Sequence, residues 1–246
     1  MANERLRAAM DRNRVWVTEL ATYTEKDPKT VSRWLGGRVP HPRTRYLIAK
    51  RLREDEEFLW PGASRAADDP GLGVNEIVKA YPHRNLVPSE LWDRLLDQAS
   101  TYVDILVYVG MFMTEKPHLA ATLRRKAEEG TRVRLLFGKR DSEAVIQRSL
   151  EEGIGKHTIS AKIDHTMAFF RPLAEVPGTT IRVHGTTLYN SIYRFDDEMI
   201  VNPHVYGTIA AHAPALHLRH LRAGNLFTVY ADSFASVWDQ AEPASW

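Results

Sequence analysis

The chemistry-bearing side chains of this 246-residue chain gather in two stretches. One is LYNSIYRFDDEMIVNPHVYG, Leu188–Gly207. Two runs of β-prone residues, joined by Asp197-Glu198, read as an antiparallel hairpin. Residues two apart on a strand share a face. Tyr189, Ser191 and Tyr193 therefore share one face of the first strand, with Asn190, Ile192 and Arg194 opposite, and Asp196 at the strand's end is expected to join the first face. Asn202, His204 and Tyr206 share a face of the second strand. Hydroxyls, a carboxylate, an amide and an imidazole at these spacings are more polar than a core needs. They suit a small-molecule site. The plainer alternative is a hydrogen-bonded hairpin that only builds the domain.

The other stretch is DPKTVSRWLGG, Asp27–Gly37. Asp27 can accept from free amides of a first helical turn, and Pro28 suits the first helical position. Val31, Trp34 and Leu35 form one apolar stripe, and Gly36-Gly37 ends the helix. Lys29, Thr30, Ser32 and Arg33 are left on the other face. A short helix that packs on one side and presents donors on the other has the form needed to read base edges and phosphates.

Net charge is +2, but residues 1–53 hold 13 Lys/Arg against 5 Asp/Glu, a net of +8 that leaves −6 on the other 193. A basic first quarter on an acidic remainder is the electrostatic pattern of a small nucleic-acid-binding head. There is no cysteine, which excludes disulfides and thiolate metal sites. His212, His217 and His220 lack the helical spacing of a metal pair plus a third ligand, so no metal and no cofactor is expected. Lys139 and Arg140, between a strand and a helix, read as a solvated loop. No apolar run has the length of a membrane span, and MANERLRAAMDRNR is too charged for a signal peptide. The expected location is cytoplasmic, with no membrane partner.

Stepwise periodicity extends the basic segment into a bundle. Residues 3–11 read as a helix, as do Trp16–Tyr23, the Asp27 helix and TRYLIAKRL. Tyr46, Leu47, Ala49 and Leu52 of the last are available for a core. Phe58, Leu59 and Trp60 close the unit before Pro61. Residues 4–61 resemble the XRE (lambda-repressor-like) helix-turn-helix family. The resemblance is carried by Leu20-Ala21, by Thr30-Val31-Ser32-Arg33-Trp34 with Gly36 and Gly37, and by Pro40 and the Tyr46–Leu52 helix. The family often has glycine and an aliphatic residue in the turn, where this chain has Glu25-Lys26. The resemblance implies that the Asp27 helix enters a major groove. It places Lys29, Thr30, Ser32 and Arg33 against DNA, with Arg38, Arg43 and Arg45 near phosphates.

Residues 62–75 are rich in Pro, Gly, Ala and Asp and read as a linker between a head over 1–61 and a second domain over 76–246. In the second domain strands and helices alternate through PSELWDRLLDQAS, YVDILVYVGMF, PHLAATLRRKAEEG, TRVRLLFG and DSEAVIQRSLEEG. Then come a helical stretch over 158–174, TTIRVHG, the hairpin, LHLRHL and a closing helix NLFTVYADSFASVWDQA. The expected fold class is an all-α helix-turn-helix head plus an α/β domain with a mixed sheet.

Residues 90–241 resemble the phospholipase D superfamily, whose signature is His-x-Lys-x4-Asp, a tight turn, and a strand ending in Gly-Ser-x-Asn. Aligned on Asp196, this chain has Tyr189 for the histidine and Ser191 for the lysine. Pro203 and His204 stand for the glycine and serine. His184, on the preceding strand, is a candidate for a displaced catalytic histidine, but it lacks a lysine two positions on, where Thr186 stands, and a structural role is expected. The resemblance thus implies the fold and a pocket position without the catalytic pair, and no enzyme activity is expected. It also implies dimers, because single-motif members pair their motif halves. The expected function is a sequence-specific transcriptional regulator. It would bind a double-stranded operator as a homodimer, and its second domain would dimerise, sense a small-molecule effector, or both. The competing reading is a phosphodiesterase or nuclease delivered to DNA by the head.

Overall fold

A computed structural model describes residues 3–61, 63, 76–116, 118–221 and 224–246, with the side chain of Glu57 excepted. The expected linker, 62–75, lies outside the described residues apart from Ala63. The chain divides into two compact units, Met1–Asn75 and Glu76–Trp246.

The first unit is helical: α1 (Glu4–Arg12), α2 (Val17–Tyr23), α3 (Pro28–Leu35), α4 (Pro42–Leu52) and α5 (Glu56–Leu59). Asn3 accepts from the Leu6 amide at 3.0 Å, and its side-chain nitrogen donates to the Leu59 carbonyl at 2.9 Å. One residue thus caps α1 and ties it to α5. Asp27 accepts from the Lys29 amide at 2.7 Å, with Pro28 at the first helical position. The turn between α2 and α3 depends on Glu25, whose φ of +55° lies in the left-handed region. The exposed Glu25 therefore adopts the backbone that a glycine would favour, while the Lys26 amide closes onto the Ala21 carbonyl at 2.9 Å. Leu6, Met10, Leu20, Val31, Trp34, Ile48, Leu52 and Trp60 fill the core.

The inward face of α4 differs from expectation. Tyr46 is exposed and Leu47 only half-buried, whereas Arg45, Ile48, Ala49 and Leu52 face inward. Those four follow helical spacing, and Arg45 is tolerated inside because its donors are satisfied. Its Nε meets Glu56 at 2.7 Å, and its terminal nitrogens donate to the Pro40 and Ala63 carbonyls at 3.2 and 2.5 Å.

The second unit is an eight-stranded mixed sheet with helices on both faces. Its strands are β1 (Ile77–Tyr81), β2 (Tyr102–Leu106), β3 (Arg132–Gly138), β4 (Thr179–His184), β5 (Asn190–Phe195), β6 (Glu198–Pro203), β7 (Ala215–Arg219) and β8 (Glu242–Pro243). The order is β1-β7-β6-β5-β2-β3-β4-β8, with β2, β3 and β4 parallel and every other pairing antiparallel. One core includes Trp92 and Leu95 of α6 (Ser89–Gln98) and Leu123 of α8 (Leu119–Glu128). The other includes Val145 of α9 (Glu143–Glu151), Ile159 and Ile163 of α10 (Thr158–Phe170), and Phe234 of α11 (Leu226–Gln240). The apolar run after Tyr102 is only partly strand. It leaves the sheet after Leu106, turns at Gly110 with φ +72°, and enters the short α7 (Met111–Thr114).

Buried polar groups fix this unit. Asp104 on β2 is fully buried and takes a two-pronged contact from Arg134, at 2.6 and 2.7 Å. Glu76, also fully buried, accepts from the Leu226 and Phe227 amides at 2.7 and 3.4 Å, at the N-terminus of α11. A Cβ on Gly224 would lie 2.1 Å from the Glu76 carboxyl carbon, so only glycine leaves that carboxylate its place. Glu76→Ala is expected to lower unfolding free energy by about 2 kcal/mol, because two helix-terminal amides lose their acceptor. Glu76→Gln should retain part of it. Urea denaturation checks this, and an unchanged midpoint for Glu76→Ala would contradict the capping role.

Candidate functional site

The surface of the helical unit can be built from α3 outward. Val31 and Trp34 point into the core, which leaves Lys29, Ser32 and Arg33 exposed and Thr30 half-buried. The Ser32 hydroxyl donates back to the Pro28 carbonyl at 3.1 Å. Arg38 and Arg43 are exposed on the segments that follow. Among the described residues, Lys29, Arg33, Arg38 and Arg43 make no side-chain hydrogen bond or ion pair. Arg45, grouped with them from sequence, does not belong there: it is 7% exposed and committed to Glu56 and two carbonyls.

In the α/β unit a cavity of about 190 Å³ opens where β2 leaves the sheet and β5 enters it. Its walls include Arg84, Tyr108, Phe112, Arg148, Glu152, Lys162, Ser191, Tyr193 and His204. The loop after β6 contributes Ile209, Ala210 and Ala211. That loop is pinned from two sides. Arg148, on α9, donates to the Thr208 carbonyl at 2.7 Å and pairs with Glu152 at 2.9 Å. The amides of Arg84 and Asn85 donate to the Ala213 and Ala211 carbonyls at 2.8 and 3.0 Å.

One hydrogen-bonded chain crosses the cavity wall. The Leu188 amide donates to the Tyr108 hydroxyl at 2.8 Å. The Leu188 carbonyl, which can only accept, lies 3.1 Å from His204 Nδ1. Nδ1 therefore carries the proton, and Nε2 accepts from the Ser191 hydroxyl at 3.0 Å. His204 also stacks on Tyr108, with ring centroids 5.5 Å apart. Serine to imidazole to a fixed acceptor is the donor order of a nucleophile–base pair. Burial, and then the nearby positive Arg148, lower the His204 pKa to about 4. A base that weak takes up a serine proton poorly at neutral pH. The pair is better suited to hydrogen-bonding an occupant than to attacking it.

Of the residues expected at a ligand site, the structure brings Ser191, Tyr193 and His204 into this cavity. Asp196 is a correction. It sits beyond the other end of β5, roughly 16 Å away at ~3.3 Å per residue. There its φ is +49°, and it accepts from the Ser100, Thr101 and Tyr102 amides at 2.8, 2.8 and 2.6 Å. Burial raises its carboxyl pKa, but those amides outweigh it and hold the group below its usual range. The hairpin turn is thus Asp196-Asp197, and Glu198 belongs to β6. Tyr189 and Tyr206 are 81% and 80% exposed and do not line the cavity. Asn202 pairs in register with Ser191 but lies outside the wall, donating to the Pro214 carbonyl at 2.7 Å.

His184, considered as a displaced catalytic histidine, is buried against the Val107 carbonyl at 3.2 Å. Burial lowers its pKa. His217 binds Glu198 at 2.6 Å. Burial would raise the Glu198 pKa, but Arg94 and then His217 bring it down to about 2. Lys139 and Arg140 are exposed and paired with Glu242 and Asp164. Among the described residues no group of three or more His, Asp or Glu is placed to hold a metal ion. Among the described residues no helix is long and apolar enough to cross a membrane.

Sequence reasoning missed Arg84, Arg148, Glu152 and Lys162. Arg148 had one usable signal, a position beside Val145 and Ser149 on the inward side of a helix.

A mixed α/β sheet with a polar cavity at the ends of its parallel strands is the class of domain that fold and site define. Residues 73–245 match the family model described as Domain of unknown function (DUF5919), and the chain belongs to that family. No curated protein matches the sequence. Among solved structures, TrmBL2, described as an archaeal chromatin protein that shows a novel mode of DNA binding, is similar at 13% identity and a TM-score of 0.42. The match covers 68% of this chain and 55% of that one, so the chain spans about half its length. Nuc from Salmonella typhimurium, a phospholipase D family member, is similar at 14% identity and a TM-score of 0.37. That match covers 64% of this chain and 90% of Nuc.

The histidine at the centre of the cavity sets a pH dependence. Its folded pKa, about 4, lies below the ordinary value of 6.5. Its contribution to stability is thus complete above pH 6.5 and is lost as pH falls through 4, at most on the order of 3 kcal/mol. NMR titration should place the His204 midpoint near 4, and Arg148→Met should move it upward. A midpoint near 6.5 would contradict the buried, neutral imidazole.

Proposed function

We propose that the protein is a DNA-binding transcriptional regulator whose helical unit reads duplex DNA and whose α/β unit senses a small ligand. The observation that carries the reading is the outer face of α3. Lys29 and Arg33 stand exposed and unpartnered above a buried Val31/Trp34 stripe, with Arg38 and Arg43 also exposed and unpartnered. The XRE-like residues Thr30–Trp34 and the net charge of +8 over residues 1–53 support it. One short helix contacts too few base pairs for useful affinity, so operator binding calls for two copies of the chain. A regulatory ligand must then favour either the DNA-competent or the DNA-incompetent arrangement of the pair.

The α/β unit is read as non-catalytic. The signature positions for nucleophile and phosphate-neutralising lysine hold an exposed Tyr189 and a buried Ser191. Hydrolysis of bis(p-nitrophenyl) phosphate is accordingly expected at background and unaltered by His204→Ala.

Selection of binding sequences from random duplexes, followed by affinity measurement, tests the DNA reading. Arg33→Ala and Lys29→Ala should each weaken specific binding by about 1–3 kcal/mol, ten- to hundredfold, with the fold intact by circular dichroism. Arg38→Ala and Arg43→Ala should weaken all sequences alike and flatten the salt dependence. Arg45→Ala should instead act through lost stability of the helical unit. Wild-type affinity in both α3 variants would remove the recognition-helix assignment.

A further inference from the structure

We propose that the cavity of the α/β unit takes a small organic anion, its charged end held by Arg84 and Lys162 and its uncharged end by the apolar wall. This deepens the reading of the cavity as a ligand site and rests on it.

Charge counting leads to the anion. The wall carries three cations, Arg84, Arg148 and Lys162, and one carboxylate, Glu152. Glu152 is committed to Arg148 at 2.9 Å, and another Arg148 nitrogen donates to the Thr208 carbonyl at 2.7 Å. That pair is closed. His204 stays neutral above its pKa of about 4 and adds nothing. Glu151 lies 3.8 Å from Arg148, and the Glu152 charge also acts on Lys162, but neither Arg84 nor Lys162 has a carboxylate within salt-bridge distance among the described residues.

Their hydrogen-bonding state points the same way. The Arg84 Nε is buried and has no partner, and its guanidinium lies 4.0 Å from the centre of the Phe112 ring. Lys162 is half-buried and has no side-chain partner among the described residues. Half-buried arginines elsewhere in the unit are answered: Arg134 by Asp104, Arg94 by Glu198, Arg182 by the Trp238 carbonyl. A buried donor without an acceptor is unfavourable, and a carboxylate or phosphate oxygen would satisfy it with a charge-assisted bond.

Size sets the rest of the molecule. A volume of 190 Å³ has room for about six waters at ~30 Å³ each, and lies below the ~300 Å³ where sites for drug-sized ligands begin. The occupant therefore has roughly ten non-hydrogen atoms, too few for a nucleotide or a lipid. Val107, Val109, Met111, Ile159 and Ile209 face it, so the body beyond the charge is apolar. The Ser191–His204 pair supplies one further polar contact. None of the cations involved stands at a position of the phospholipase D signature.

Titration calorimetry on the full chain with benzoate, phenyl phosphate, inorganic phosphate and neutral benzyl alcohol tests this. Benzoate or phenyl phosphate should bind at least about tenfold more tightly than benzyl alcohol and than inorganic phosphate. Arg84→Met and Lys162→Met keep the side-chain stems, so the unliganded melting temperature should hold or rise as repulsion is relieved. Each should weaken the anion by about tenfold or more. Absence of binding by all anions at about 10 mM, equal affinity for benzyl alcohol or inorganic phosphate, or variants that bind as wild type would overturn the proposal. DNA affinity with and without the anion is read separately. Anion binding that leaves DNA affinity unchanged keeps this inference and removes the regulatory reading; DNA binding without anion binding does the reverse.

Discussion

The α/β unit depends on one buried carboxylate. Asp104 stands on β2, the strand where parallel and antiparallel halves of the sheet meet. Its register partners are Arg134 on β3 and Arg194 on β5, and both guanidinium groups turn toward it, at 2.6 and 3.9 Å. Aromatic rings cover them from outside: Phe234 and Trp238 over Arg134, Tyr102 and Phe227 over Arg194. Such a cluster adds little net stability over apolar packing, because desolvation offsets the attraction. What it adds is register. A one-residue slip of β5 would carry Arg194 away from Asp104, which would keep its two-pronged pair with Arg134 on β3. The same slip would turn Ser191 and Tyr193 to the opposite face of the sheet. The lining of the cavity therefore depends on the β2–β5 register that pairs Asp104 with Arg194.

Order at one end of the sheet makes the openness at the other interpretable. At the Asp104 end the buried charges are closed. Asp196 gathers three backbone amides, and Glu198 gathers Arg94, His217 and Arg219. At the other end Arg84 and Lys162 are left open beside a neutral Ser191–His204 pair. Half-buried arginines elsewhere in the unit are paired, and the contrast at the cavity is the observation on which the proposed anion rests. The loop over that cavity is held through Arg148 and through the amides of residues 84 and 85. An occupant there touches groups that also fix the loop, which is the physical link a sensor needs between ligand and shape.

How much of this was legible in the sequence follows from where each signal lay. The helices of the first unit were legible because their stripes and caps are local, as with Asp27, Pro28, Val31 and Trp34. The hairpin was legible from alternation, and Ser191, Tyr193 and His204 followed from it. Asp196 was grouped with the wrong face, because strict alternation from Tyr189, Ser191 and Tyr193 reaches Phe195 and Asp196 lies beyond the strand in a turn with φ +49°. β1 was missed because IVKAY is an edge strand exposed along most of its length, and β8 because two residues carry no pattern. The cations of the cavity come from three separate elements: the loop after β1, then α9 and α10. No spacing rule connects residues 84, 148 and 162, and only the folded sheet does.

Residue type proved a weak guide to role, and environment decided it. Arg33, Arg45, Arg84 and Arg148 are the same side chain in four situations. Arg33 is exposed and unpartnered among the described residues, which leaves its guanidinium free for the contact proposed with DNA. Arg45 is buried and fully satisfied, so it can only hold its own unit together. Arg148 is buried and satisfied as well, but its partners are a loop and a carboxylate at a cavity, so it shapes a site without charging it. Arg84 is partly buried with its Nε unanswered, and of the five such buried side-chain atoms among the described residues it is the one in the cavity wall. The same distinction applies to Ser191 and His204. They stand in the order of a nucleophile and its base, yet burial and Arg148 pull the imidazole to a pKa of about 4. A serine–imidazole pair stands there in surroundings that keep the imidazole neutral and weakly basic.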